Sequence, residues 1–89
     1  MMRKYVAELV ASILVVYVVL ATSNAFAIGS ALALVLFLIK DISGGHVNPA
    51  VTIALASAGK FPVNEVIPYN VAQVFGGLIA LEIYKRYRP

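Results

Sequence analysis

Asn48 and Pro49 stand together just ahead of an apolar run, and the pair carries a definite chemistry. Asparagine is a favoured helix N-cap, its side-chain oxygen accepting a backbone N–H of the first turn. Proline suits the next position, because it has no N–H to leave unpaired and its φ is already helical. With its oxygen so used, Asn48 has an NH₂ group that is oriented and free to donate. The helix N-terminus adds about half an elementary positive charge. A fixed donor in a positive field suits a passing oxygen atom or an anion, and it repels cations. Upstream, Gly44, Gly45, His46 and Val47 show no regular pattern. At membrane depth their carbonyls must find partners or face water, and a row of carbonyls along a pore is one solution. An ordinary glycine-rich turn with an N-cap is another, and a motif this short leaves both open.

The other reactive side chains are few. One histidine and four scattered carboxylates give no nucleophile–base pair and no metal-ligand constellation, so an enzyme is not expected. The chain has no cysteine, which removes disulfides, thiol chemistry and thiolate metal sites. No cofactor is implied.

The elements that must position Asn48 are apolar. Of the 89 residues, 62% are hydrophobic and 12% charged, a composition that fits a bilayer better than a small water-soluble domain. The net charge of +3 comes from basic residues at the ends and in short joins, which suits lipid headgroups rather than nucleic acid. Three long apolar segments cover about residues 5–22, 25–39 and 63–84. Thr22-Ser23-Asn24 breaks the first from the second, Gly59 reads as a helix stop, and Lys60-Phe61-Pro62 as the turn into the third. Pro68 lies inside the third segment and is placed to kink it.

Residues 48–58 would make ~16 Å of helix, too short to cross a bilayer. With its glycine-rich entry, about 42–58 therefore reads as a re-entrant loop and half-helix. The expectation is an all-α membrane protein with three transmembrane helices plus that half-helix, as one domain. Small residues recur at helical spacing (Ala7 and Ala11; Gly29 and Ala33; Ala50, Ala54 and Ala58; Ala72, Gly76 and Ala80), which lets membrane helices approach closely. Arg3-Lys4, an apolar core and Ala25-Phe26-Ala27 imitate a secretory signal, but Glu8 interrupts the core and the first segment is expected to stay.

The string ISGGHVNPAVT, Ile42 to Thr52, closely resembles the first-half signature of the aquaporin and aquaglyceroporin (major intrinsic protein) family. AELVAS at Ala7–Ser12 is similar to the family's first helix, with Ala11-Ser12 in place of its Gly-Thr. IGSALALV at Ile28–Val35 resembles the second helix, and YNVAQVFGG at Tyr69–Gly77 the third. The resemblance implies that Asn48, Pro49 and Ala50 form the Asn-Pro-Ala motif, with Asn48 donating to the permeant oxygen. It implies that Gly44, Gly45, His46 and Val47 line the pore with carbonyls, and that Glu8 and Gln73 are buried supports of the re-entrant backbone. Taken alone, Glu8 could instead snorkel to the basic N-terminal end, and His46 could be a structural loop residue whose side chain packs or caps.

Family members fuse two inverted halves and carry a second Asn-Pro-Ala followed by Arg. Here one half is present. Val51 follows Ala50 where that Arg would stand, and Ile28 occupies a position that is aromatic in many water-selective members. Ile28, Gly45 and Val51 are thus the expected selectivity-filter positions, with apolar constrictions that admit water and small neutral solutes such as glycerol.

With three spans the two ends face opposite sides. Arg3, Lys4, Lys40 and Lys60 fall on one side, and Lys85, Arg86 and Arg88 on the other. Four against three is almost no bias, and orientation follows that bias. The expectation is a protein inserted both ways, whose inverted copies bring two Asn-Pro starts together in a homodimeric pore, assembled further into a larger oligomer. Alternatives are a split channel completed by a separate chain, a small dual-topology proton-coupled exporter using Glu8, and a non-conducting remnant.

Overall fold

A computed structural model describes residues 2–88 of the chain. Its first helix, α1, runs Met2–Thr22. Thr22 and Ser23 end it, Ser23 turning through a left-handed φ of 50°. Asn24 then caps the second helix, α2 (Ala25–Ile39), by accepting the Ala27 N–H at 2.9 Å on Oδ1. A loop over residues 40–48 leads to α3 (Pro49–Ser57), and a 3₁₀ turn (Val63–Glu65) leads directly into α4 (Val66–Arg86). The fold is all-α.

The first and last helices form the frame. At one end Tyr5 packs edge-on to Tyr69 and donates to Glu65, while Lys4 pairs with Glu65 at 3.2 Å. At the other end Tyr17 meets Tyr84 and donates to the Tyr87 carbonyl. Matched N-terminal and C-terminal contacts mean that α1 and α4 run parallel, so Met2 and Arg86 lie at opposite ends of a body 40 Å long. The small residues of the seam are what let them touch: Ser12, Ala72, Gly76 and Ala80 are all buried. Gly76 is indispensable to it. A Cβ there would lie 2.7 Å from the Leu9 carbonyl and 2.7 Å from Ser12 Cβ.

α1 and the stretch Val63–Arg86 are each long and apolar enough to cross a membrane. α2 is shorter, 15 residues or ~22 Å, and buries only Val35. The reading of Pro68 needs correction. The 3₁₀ turn moves the start of α4 to Val66, which leaves Pro68 in the first helical turn. There its missing N–H is one the helix end leaves unpaired anyway, so it makes no kink in the middle of the span.

Candidate functional site

Glu8 lies fully buried on the second turn of α1 and organises everything around Asn48. One carboxylate oxygen, Oε2, accepts from Ser43 Oγ at 2.7 Å and from the His46 backbone N–H at 3.0 Å. The other, Oε1, accepts from the Val47 N–H at 2.7 Å and from Gln73 Nε2 at 3.0 Å. Four donors surround one charge, which is what burying a carboxylate demands. Three of them come from the 40–48 loop, so α1 holds the loop inside the bundle.

The loop could not reach that position with ordinary backbone. Gly44 and Gly45 both have positive φ, 91° and 70°, and a Cβ on Gly45 would press on the Leu36 carbonyl at 3.3 Å. Val47 is the unexpected member, a β-branched residue at φ 57°. Such a residue in the left-handed region costs about 1–3 kcal/mol and persists only where its surroundings over-determine it. The short bond from Val47 N–H to Glu8 supplies that constraint, and it aims the next residue, Asn48.

Asn48 itself has extended backbone, and its Oδ1 accepts the Ala50 N–H at 2.8 Å, with Pro49 opening the helix. Its NH₂ group donates to no protein atom among the described residues, and its side is exposed. One turn further on, Thr52 is fully buried. Its hydroxyl receives Gln73 Nε2 at 3.0 Å and pairs with His46 Nδ1 at 2.8 Å. The His46 side chain therefore packs and bonds: it meets Phe61 edge-on and Tyr69 at a tilt, and Tyr69 in turn donates to the Ser43 carbonyl at 2.7 Å. Burial pushes the His46 imidazole below its ordinary value, against the opposite pull of Glu8.

These contacts fix the depth of the helix start. Thr52 lies level with Gln73, and the later residues Ile53, Ala56 and Ser57 face Val63, Val66 and Ile67. So α3 runs back towards the end from which the loop entered. Asn48 stands one turn before Thr52 and next to Val47, whose N–H shares Glu8 Oε1 with Gln73 Nε2, so the helix start lies inside the body beside α1 and α4. Beyond Thr52, α3 buries nothing, and Val51 and Ile53 are exposed.

The structure thus gathers Glu8, Gln73, Gly44, Gly45, His46, Val47, Asn48, Pro49 and Ala50 into one region. It does not bring the three expected filter positions together. Val51 lies on the open face of α3, and Gly45 lies against Leu36. Ile28 is two turns of α2 further away, ~12 Å along the helix from Leu36, at the opposite end of the body. Sequence reasoning assigned no role to Ser43, Thr52, Tyr69 and Phe61; the first three lie within the family-like strings, but their bonds arise only from tertiary contact. Gln73 Oε1 and Ser12 Oγ are buried with no partner among the described residues.

The family profile for major intrinsic proteins matches residues 1–88. The chain belongs to the major intrinsic protein family. Among family members with assigned names, an aquaporin Z of Photorhabdus laumondii is 37% identical over 98 aligned positions, covering 93% of this chain and 42% of the relative. An aquaporin Z of Bradyrhizobium diazoefficiens is 44% identical over 57 residues, or 64% of this chain and 24% of the relative. Aquaporin AqpM of Methanothermobacter thermautotrophicus is 47% identical over 58 residues, 65% of this chain and 24% of the relative. The chain spans less than half the length of these relatives. Family membership and two helices long and apolar enough to cross a bilayer make it an integral membrane protein.

Proposed function

We propose that this chain forms one half of a passive channel for water and small neutral solutes such as glycerol, completed by a second copy in inverted orientation. The observation that carries the reading is the helix start at Asn48, whose amide donor is unclaimed among the described residues while the backbone N–H groups of residues 44–47 are all bonded. In it α1, α2 and α4 cross the membrane, and the 40–48 loop with α3 dips in and returns. A donor held by an N-cap in the positive field of a helix end orients a water or hydroxyl oxygen without binding it tightly, and it opposes cations. The carbonyls of residues 44–47 line the approach.

One such half reaches only mid-depth. Parallel copies would leave both half-helices on one side, whereas an inverted copy presents a second Asn48 from the other side. Inversion also moves the second copy's Ile28 to the end that holds this chain's Gly45, so positions far apart in one chain share a narrow zone. Val51 supplies no charge there, and the constriction is apolar. Opposed helix dipoles and two Asn48 donors are the cation barrier. The exporter reading fares less well, because Glu8 is sealed from solvent and saturated by four donors. A proton-coupling carboxylate needs access.

The test is stopped-flow swelling of proteoliposomes containing only this chain. Osmotic water or glycerol permeability rising several-fold over empty liposomes is the expected result; no rise despite verified insertion overturns the homomeric pore. Labelling each terminus from either side should find both orientations. A single orientation, or a second polypeptide cross-linked in the purified complex, favours the split channel. Asn48→Asp keeps a good N-cap but replaces the donor by a carboxylate, so cation leak should rise with the fold intact.

A further inference from the structure

An open apolar groove of about 540 Å³ runs between α1 and α2. Val6, Val10 and Leu14 line one wall, Val35 and Leu38 the other, and Arg3 stands at its mouth. Arg3 and Ile42 also line a smaller adjoining recess of about 260 Å³, together with Lys4 and Asp41. The apolar slot and the charged recess thus adjoin at Arg3 and Ile42.

The charges in that pocket are not spent on each other. Lys4 pairs with Glu65 at 3.2 Å, but neither Arg3 nor Asp41 makes an ion pair among the described residues. A cation and a carboxylate face one recess with neither bonded to the other. The slot has a matching depth. Arg3 to Leu14 is eleven residues of helix, ~16 Å, and half of a ~30 Å hydrocarbon core is ~15 Å. A groove that starts at the charged end of α1 and stops near mid-depth has the length of one leaflet's acyl chain.

From this geometry we propose that the α1–α2 groove is a seat for a membrane phospholipid whose headgroup carries both a phosphate and a primary ammonium, as phosphatidylethanolamine does. One acyl chain fills the slot along Val10, Leu14 and Leu38. The phosphate meets the Arg3 guanidinium, whose planar fork suits two phosphate oxygens. The ammonium donates to the Asp41 carboxylate. A phosphatidylglycerol would set its uncompensated negative charge beside Asp41. A phosphatidylcholine has no N–H to donate to it. Charge separates this groove from its neighbours. The comparable groove between α1 and α4, lined by Leu9, Val71 and Ala72, contains no basic side chain.

The sequence has no tryptophan, so a single introduced one reports on its own site. Leu38→Trp, at a position 60% exposed in the groove, is compared with Val71→Trp, 47% exposed in the uncharged groove. Each variant of the full chain is reconstituted in unlabelled phosphatidylcholine with a small fraction of brominated-chain phosphatidylethanolamine, phosphatidylglycerol or phosphatidylcholine. Brominated phosphatidylethanolamine should bind at Leu38→Trp about threefold more tightly than the other two, the scale of one exposed ion pair. Val71→Trp should not distinguish the three. Adding Arg3→Ala should bring quenching at Leu38→Trp to the level at Val71→Trp. Asp41→Asn should erase the preference for phosphatidylethanolamine over phosphatidylcholine. Equal quenching by the three headgroups overturns the proposal, as does a preference for phosphatidylglycerol that survives Asp41→Asn. Protection of Leu38→Trp from every brominated lipid also overturns it, because a second copy of the chain then covers the groove. Asp41 is exposed and Arg3 lies at the groove mouth, so neither substitution disturbs the core.

Discussion

The seam between α1 and α4 and the open faces of α2 and α3 are built from the same kinds of residue, yet only the seam is finished. In the seam, small residues bring two backbones together and bury Ser12, Ala72, Gly76 and Ala80. α2 buries Val35 alone and α3 buries Thr52 alone. Leu34, Phe37 and Leu38 on α2 and Val51 and Ile53 on α3 all face outward. In lipid an outward leucine costs nothing, so apolar exposure on α2 carries little information. An outward helix start with an unclaimed amide donor is different, because hydrocarbon offers it no partner. The contrast teaches that α3 is held chiefly by polar bonds to α1 and α4, through Glu8, Gln73 and Thr52, and little by packing.

The largest effect should come from removing the centre of those bonds. Glu8→Ala leaves four donors without an acceptor in a buried site, each worth about 1–3 kcal/mol before relaxation. A loss of about 3–5 kcal/mol is expected, the scale for breaking a buried charge network. The comparison makes the prediction specific: hydrogen exchange should rise across residues 43–52 while the amides of α1 and α4 stay protected. Uniform loss of protection would show that the two regions fold as one unit.

Gly76→Val attacks the other region. Its new side chain would overlap the Leu9 carbonyl and Ser12, where even a Cβ comes within 2.7 Å. Separation of the helices should cost about 1–3 kcal/mol, the usual penalty for overpacking, read as a lowered unfolding midpoint in detergent. Here the pattern should reverse at first, with exchange rising in the middle of α1 and α4. The loop follows only in so far as Glu8 and Gln73 are pulled apart. Gly77→Ala one residue on is the control, since a Cβ there meets only Val16 Cγ2, at 3.7 Å.

These two regions are not equally legible in the sequence. The capped start at Asn48-Pro49 follows from local chemistry, and the small-residue stripes announce close helix contact, though not that Ser12 would face Gly76. Glu8 and Gln73 come into view as supports only through family resemblance, because nothing in their own neighbourhoods says what they bond. Val47 in the left-handed region runs against its intrinsic preference, and only a tertiary bond overrides that preference. The roles of Ser43, Thr52 and Tyr69 are hidden for the same reason, although all three lie within the family-like strings. Pro68 reads as lying inside the third apolar segment, placed to kink it, because the 3₁₀ turn that shifts the helix start by three residues leaves no mark in the sequence. Local signals locate the elements, and long-range polar bonds, which have no period, decide the site.

The smallest effect concerns His46, in the loop outside the spanning helices. Its ring sits 4.6 Å from Phe61 and 5.0 Å from Tyr69, with Nδ1 on the Thr52 hydroxyl. Burial lowers its affinity for a proton below that of an exposed histidine, while the nearby Glu8 carboxylate works in the opposite direction. The lowering prevails, so the unfolded chain takes up a proton more readily than the folded one. Stability is then fully present above the ordinary histidine value of 6.5 and declines as pH falls through and below it. The expected loss between about pH 7.5 and pH 5 is small, because Glu8 offsets part of the burial effect. It should be confined to the loop: exchange at residues 43–52 should quicken on acidification, with the α1–α4 seam unmoved. His46→Gln retains a side chain that bonds Thr52 but does not titrate in this range, and it should flatten the pH dependence. A slope that persists in His46→Gln would show that the loop's pH response does not come from this imidazole.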